Sequence, residues 1–296
     1  MREPERVTQS RVLFVGRATL DVVYSLERFP SEDTKTFARA MHVAPGGPAT
    51  NAAITHALLG GKAQLITAIG EGPWAATVRD QVERLGIEVI DLAAGTSYQT
   101  PLTTVLVNEA QATRTIVNPP RPDVQLKQLE AWEDHWGEVP ELVLTDGFHL
   151  GETLPLLRAC RNRGASICLD GGSWKPGTEE LASLLSVAIC SERFVVPQRP
   201  AHPDATIEWL AGKGVPYIAI TRGAKPILGW DRGRKFEIEI ARIDAVDTTG
   251  AGDVLHGAFC FYFAKTRDFE QALRMAAGKA TRSCLRLGIR GWNEGE

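Results

Sequence analysis

The sequence predicts an α/β protein: a mostly parallel sheet covered by helices, with a small additional β-sheet. Three observations carry this. Short apolar runs alternate with longer helical patterns along most of the chain. Several of those runs are apolar without interruption, as strands buried on both faces are. Two segments, 17–44 and 96–118, break the rhythm with short alternating strands and turn residues.

Taken in order, "RVLFVG" (11–16) reads as the first strand. "PATNAAITHALLGG" (48–61) reads as a helix, with Pro48 suited to a first turn and glycines closing it. "AQLITAIG" (63–70) is a strand, and "WAATVRDQVERLG" (74–86) a helix ending at Gly86. "ELVLTD" (141–146), "ASICLD" (165–170), "VAIC" (187–190) and "YIAIT" (217–221) are strands with the composition of a buried sheet. Helical patterns such as "TLPLLRACRNRG" (153–164) and "ATIEWLAGKG" (205–214) lie between them. This alternation implies parallel strands with helices packed on them. Segments 17–44 and 96–118 read as a small sheet inserted in that core, either a lid or a dimer surface; an ordinary edge extension explains them equally well. No repeat, low-complexity tract or linker divides the 296 residues, which are therefore read as a single domain, 1–296.

Composition excludes several function classes. The chain is 44% hydrophobic and 23% charged, with a formal net charge of −3. Its densest basic run, "RGRK" at 232–235, reads as a solvated turn, so nucleic acid is not expected as a partner. The N-terminal "MREPERVTQSR" is too polar for a signal peptide. The longest apolar run, Val254 to Ala264, falls short of the roughly 18 residues that span a membrane. Five cysteines without a CxxC pair read as buried thiols in a reducing cytoplasm. The six histidines show no metal-ligand spacing.

The chemistry is concentrated in "AVDTTGAGDVLHGAF" (245–259). Its glycines let backbone N–H groups converge, and a helix start adds partial positive charge, so the stretch can hold an anion. An aspartate inside an anion site repels the ligand. Asp253 makes better sense as a base taking a proton from a hydroxyl while the N–H groups hold a transferring phosphoryl group. On this string alone, a capping aspartate in a glycine turn fits as well. The stretch is not a Walker A loop, because Gly61-Lys62 and Gly278-Lys279 are each followed by alanine. It is not a dinucleotide fingerprint either, since Leu255 takes the last glycine place. A second glycine pair, Gly46-Gly47 in "APGGPATNAA", precedes a helix and would let a ligand approach backbone; a plain strand-to-helix turn also accounts for it. Asp21, just after the first strand, would lie at a carboxyl strand end, where open α/β sheets bind ligands, unless it only caps a turn.

Together these stretches resemble the ribokinase-like, or phosphofructokinase-B-type, carbohydrate kinases over nearly the whole chain. "DTTGAGDVLHGAF" is close to that family's C-terminal signature, and "GGPATNAA" and "LGGKAQLITAIGEG" match its N-terminal half more loosely. The resemblance implies a three-layer α/β/α ribokinase-like core with a small β-sheet lid, ATP as phosphoryl donor, Mg²⁺ as its companion and a sugar as acceptor. By position, Asp253 resembles the catalytic base, and Gly250, Ala251 and Gly252 the anion hole. Asp21, Gly47 and Asn51 resemble the sugar-hydroxyl binders. Thr221 and Gly223 would lie along ATP, and Ala277 and Cys284 near its adenine. Asp247 and Thr249 match positions that hold a monovalent cation, K⁺, in several members. A homodimer through the lid is the expected assembly.

The closest resemblance inside the family is to the ketohexokinase and sulfofructose-kinase branches, through "LDVVYSLERFPSEDTK", "GGPAT" and "NEAQATRTIVNPPRPD". A ketohexose or 6-substituted ketohexose is the acceptor this implies. Lys35, Arg114 and Asn118, in or beside the lid segments, could meet an anionic substituent at the far end of such a sugar; solvated charges on lid strands explain them as well. The match has departures. Where an Asn-x-x-Glu motif often organises magnesium, this chain reads "CSERF", with Ser191 and Phe194 in the two places and Glu192 as a substitute carboxylate. Gly223 is followed by Lys225-Pro226 where a second glycine is usual, and Pro48 stands where some members carry asparagine. A ribokinase- or nucleoside-type kinase of the same fold, and a non-catalytic sugar-binding relative, remain as alternatives. The intact Asp253 speaks against the second, since a pure binder has no use for a base in an anion hole.

Overall fold

The computed structural model describes residues 11–120, 123–129 and 139–293. The polar N-terminal stretch up to Ser10, and Arg121-Pro122 of the "NEAQATRTIVNPPRPD" stretch, lie outside the described residues.

The main sheet has nine strands. Its parallel part comprises β1 (Arg11–Val15), β4 (Lys62–Thr67), β5 (Glu88–Asp91), β8 (Leu142–Thr145), β9 (Ser166–Gly171), β10 (Val187–Ser191) and β11 (Tyr217–Arg222). A hairpin, β12 (Lys225–Asp231) and β13 (Arg234–Ile238), adds two antiparallel strands at one edge. The spatial order is β13-β12-β11-β10-β9-β8-β1-β4-β5. The sequence reading did not resolve this hairpin: "RGRK" straddles its turn at Arg232-Gly233 and the start of β13.

Alternating residues of each strand feed opposite cores, which is what makes the protein three-layered. Val12 and Phe14 of β1 point into a cluster with α1 (Pro48–Leu58), α2 (Ala75–Glu83), α6 (Ala251–Thr266) and α7 (Phe269–Ser283). Leu13 and Val15 point the other way, among α3 (Leu150–Asn162), α4 (Thr178–Ala182) and α5 (Pro203–Gly212). α6 is apolar because it is buried at the centre of the first layer, where Phe259 stacks on Phe263 at 5.2 Å. All five cysteines are buried free thiols. Among the described residues, no helix is long and apolar enough to cross a membrane.

The two segments that break the rhythm form a separate four-stranded sheet, ordered β3-β2-β6-β7. Its strands are β2 (Thr19–Leu26), β3 (Ala40–Gly46), β6 (Leu102–Asn108) and β7 (Thr113–Val117). β2 and β6 are parallel and the outer pairs antiparallel. Asp21 therefore lies inside β2, not at the end of a main-sheet strand as the sequence suggested. β1 ends at Val15, and the chain leaves the main sheet before Thr19.

Candidate active site

The central contact of the site forms where two helices cross. α1 and α6 approach so closely that a Cβ on Gly257 would run into the carbonyl oxygen of Ala52. Gly257 lies one turn beyond Asp253 on the same side of α6, and Asn51 is the neighbour of Ala52. The crossing places Asn51 Nδ2 2.8 Å from Asp253 Oδ2, to which it donates. Asn51 is buried, and its Oδ1 has no protein donor.

Gly250 caps α6 with φ 67°, and a Cβ there would collide with Ile289. Only glycine fits both demands. The chain enters α6 at Ala251, and Gly252 opens onto free space. First-turn N–H groups have no intrahelical acceptor, so those of Gly252 and Asp253 face outward with the positive end of the helix. The Asp253 carboxyl is held well above the ordinary aspartate range, first by its removal from water and then by the charge of Asp170, with Asn51 and Arg114 opposing and Asp21 adding to the rise. Behind the loop, Asp247 is buried and its two oxygens accept from the N–H groups of Thr249 (2.8 Å) and Gly288 (3.0 Å). Thr249 Oγ1 is buried without a protein partner.

His256, which the sequence reading passed over, fastens this turn to the sheet. Its Nδ1 lies 2.7 Å from the Gly252 carbonyl and its Nε2 3.1 Å from the Ile189 carbonyl, with Asp170 Oδ2 3.4 Å from Nδ1. Among the described residues, no cluster of three or more His, Cys, Asp or Glu side chains could hold a metal.

The start of α1 is built around Asp146, a second residue not singled out from sequence. Its Oδ2 accepts from Arg17 N (2.9 Å) and Ala49 N (3.1 Å), and its Oδ1 from Phe148 N (2.9 Å). A Cβ on Gly16 would strike this carboxylate, and one on Gly47, at φ 95°, would strike the Arg17 carbonyl. These glycines let the end of β1, the start of α1 and the turn after β8 close on one point. Asp146 titrates at about 6, pushed up by burial against the pull of its backbone donors and Lys175.

Across the crevice, Asp21 shares a face of the small sheet with Val23 and Thr103. Thr19 Oγ1 donates to its Oδ1 at 2.6 Å. Burial raises the Asp21 carboxyl, while Thr19, Arg17 and Arg290 lower it. Arg290 was also missed from sequence; it is partly buried and donates to the Pro45 carbonyl at 3.3 Å. Arg114 spans from β7 to the glycine loop, donating to Thr248 Oγ1 at 3.0 Å. Asn118 accepts from Arg17 Nη2 (3.2 Å) and Thr103 Oγ1 (3.1 Å). Lys35 is not brought to this group: it is exposed in the loop between β2 and β3, beyond the opposite end of β2 from Asp21.

Thr221 is the next-to-last residue of β11, and Gly223, at φ 63°, makes the turn into β12. Ala277 lies on α7 and Cys284 caps its C-terminus seven residues on; both are buried, and the Cys284 carbonyl accepts from Val246 N at 2.8 Å. In "CSERF", Phe194 is a core residue against Trp174, whereas Glu192 faces solvent 4.0 Å from Lys225. A carboxylate at position 194 would be buried among aromatic rings, which explains why the acid sits two residues earlier.

A doubly covered α/β sheet, a small sheet facing its carboxyl ends and a carboxylate at the mouth of a glycine-capped helix define a ribokinase-like kinase fold. The chain belongs to the pfkB family of carbohydrate kinases, whose family model matches residues 9–293. It is 23% identical to deoxyribokinase of Salmonella typhi over 92% of this chain and 94% of that protein. It is likewise 23% identical to ketohexokinase of Mus musculus, covering 96% and 98% of the two chains. Among solved structures, fructokinase with bound ATP from Xylella fastidiosa superposes with a TM-score of 0.76 at 19% identity, over 96% of this chain and 95% of that one.

Proposed function

We propose that the chain transfers the γ-phosphoryl group of ATP to a hydroxyl of a ketohexose or 6-substituted ketohexose, with Asp253 as the base. One observation carries this: Asn51 holds one oxygen of a desolvated carboxylate at the start of an anion-binding helix. The other oxygen remains to accept a hydroxyl proton, and the raised proton affinity of Asp253 suits a group that must take one up. Asn51 Oδ1, buried without a protein donor, is placed to accept from a second hydroxyl. Asp21 and the backbone at Gly47 supply the opposite wall. As the hydroxyl attacks, charge on the phosphoryl group is held by the N–H groups of the 250–253 turn, chiefly those of Gly252 and Asp253, since Ala251 N already donates to the Thr248 carbonyl at 3.4 Å.

Thr221 and Gly223 are assigned to the ATP phosphates or ribose, and Ala277 and Cys284 to the adenine side. The solvent-facing Glu192 is a hard oxygen donor of the kind Mg²⁺ takes, and the ion would neutralise phosphate charge when bound with ATP. K⁺ near Asp247 and Thr249 is part of the same reading. The orphaned Thr249 Oγ1 supports it, while the backbone donors on both Asp247 oxygens limit that carboxylate's share.

We also propose a homodimer through the small sheet. The face opposite Asp21 carries Met41, Val43 and Val117 at 58%, 43% and 57% exposure, an apolar strip that a second copy would cover. Val43→Glu should shift the mass measured by light scattering from two chains to one; an unchanged mass removes this assembly.

The deciding experiment is ATP turnover against fructose, fructose 6-phosphate, sulfofructose, ribose, deoxyribose, adenosine and 2-keto-3-deoxygluconate. Turnover of ketohexoses above the pentoses and adenosine is expected. Turnover of ribose, deoxyribose or adenosine with ketohexoses inert would overturn the acceptor, and ATP turnover with none of them would overturn the kinase reading.

A further inference from the structure

A cavity of about 290 Å³ opens beside the Asp146 turn, near the low end of the size range of small-molecule pockets. Arg17, Tyr98, Phe148, His149, Glu152 and Lys175 are among its lining residues. It adjoins the proposed acceptor wall through a short covalent and hydrogen-bonded path. The Arg17 carbonyl accepts from Thr50 Oγ1 at 3.0 Å and its N–H donates to Asp146, while its guanidinium reaches Asn118. Arg17 thus has its backbone at the start of α1, next to Gly47 and Asn51, and its side chain on the cavity.

Three sources of positive charge converge there. The Arg17 guanidinium carbon lies 5.3 Å from the centre of the Phe148 ring, and Lys175 Nζ lies 4.6 Å from the same ring. Lys175 is buried, and its ammonium also donates to the Ser173 carbonyl (3.2 Å) and hydroxyl (3.4 Å). The third source is the N-terminus of the thirteen-residue helix α3, whose cap and first turn, His149 to Glu152, form part of the wall. Among the described residues of the wall the acid is Glu152; Asp146 and Asp21 lie nearby, but Asp146 spends both oxygens on three backbone N–H groups and Asp21 accepts from Thr19. An aromatic floor flanked by an arginine and a lysine, with a helix start beside them, suits a compact anionic group joined to an uncharged carbon frame.

We propose that this cavity is the subsite for a negatively charged group at the end of the acceptor remote from the phosphorylated hydroxyl, so that the natural acceptor is a sugar acid, phosphate or sulfonate. Arg17 and Lys175 are its specificity-determining residues, in the place that Lys35 was expected to fill. The inference rests on the kinase reading for what the acceptor does, but its test does not need turnover.

Calorimetry without ATP would compare each neutral sugar with the same frame bearing a charge: fructose against fructose 6-phosphate, fructuronate and 6-deoxy-6-sulfofructose, and ribose against ribose 5-phosphate. In at least one frame an anionic form should bind tenfold or more tighter than its neutral parent, and the arms within the fructose frame identify phosphate, carboxylate or sulfonate. Lys175→Met and Arg17→Gln should each shrink that anionic-to-neutral ratio by about tenfold, or 1.4 kcal/mol. Lys175→Arg should retain most of it. Circular dichroism would check that the variants are folded, and Arg17→Gln keeps the test open should the buried Lys175→Met fail. No preference in the wild type, or a preference that survives both substitutions, overturns the subsite. A preference that behaves as expected in a protein that turns over no acceptor with ATP would leave the subsite standing and refute the kinase reading instead.

Discussion

Two carboxylates at the heart of the molecule are treated in opposite ways. Asp146 and Asp253 both sit beside a helix start, and burial raises both. Asp146 is enclosed by three backbone donors drawn from three separate turns. Asp253 has one side-chain donor, Asn51, and stands beside glycine backbone that opens to space. The difference teaches how one fold uses one chemical group twice. A carboxylate whose oxygens are saturated by backbone ties segments together. One left half-satisfied, on a helix whose start attracts anions, is available to a ligand.

The largest expected effect falls on the unsaturated member. Asp253→Asn is isosteric, so the thermal midpoint should stay near that of the wild type while kcat falls by about 10²–10⁴-fold or more, the range for losing a general base. Steady-state turnover and calorimetric unfolding on one preparation would check both halves. A folded variant with near-normal kcat would erase the contrast between the two residues.

Nucleotide binding tests the backbone that distinguishes the second site. Gly252 has no neighbour within 4 Å of where a Cβ would stand, and its φ is not in the left-handed region. Gly252→Val should therefore fold, with the added side chain occupying the space in front of the helix start. Affinity for a non-hydrolysable ATP analogue, by titration calorimetry, should fall by about tenfold. Equal affinity would place the phosphates elsewhere.

Asp146→Asn probes the tying role, and its readout is stability. An amide cannot accept on both sides, so at least one buried N–H among Arg17, Ala49 and Phe148 loses its partner, at about 1–3 kcal/mol. The pH sign follows from the raised proton affinity. The contribution of Asp146 is present in full below its ordinary value of 3.8 and is lost as pH rises through about 6. Denaturant titrations should thus show a wider gap between wild type and variant at pH 4 than at pH 7. A gap that widens with pH would mean the backbone donors outweigh burial.

The same contrast explains what could be read from sequence. The buried strands were legible because unbroken apolar runs have few other uses, and the glycine loop because Gly250, Gly252 and Asp253 fall within four consecutive residues. The β12–β13 hairpin was not, since its turn is made by Arg232-Gly233 inside a basic run that reads as surface. Asp146 closes a strand in "ELVLTD" as Asp21 follows one in "RVLFVG", so the strand-end argument applied to Asp21 fits Asp146 better. Its partners lie 129 and 97 residues away, and no local pattern announces them. Arg17, Lys175 and Arg290 owe their roles to chain segments that meet only after folding.

The smallest effect concerns Asp170, whose charge helps keep the Asp253 proton on. Asp170 is buried at the end of β9, and its Oδ2 has no hydrogen-bond partner beyond the 3.4 Å approach to His256. Asp253 must be ionised to accept a proton, so the acidic limb of kcat/KM against pH should lie well above the ordinary aspartate range. Asp170→Asn removes the largest charge-based contribution to that displacement while leaving burial in place. The limb should move to lower pH, and activity on the alkaline plateau should change by no more than a small factor. His256→Gln separates this from simple loosening of the helix: it breaks the contacts to the Gly252 and Ile189 carbonyls, so it should lower the plateau and leave the Asp170 charge facing Asp253. If Asp170→Asn lowers the plateau and leaves the limb where it was, Asp170 acts by holding His256 in place, and the electrostatic half of the contrast between Asp253 and Asp146 is lost.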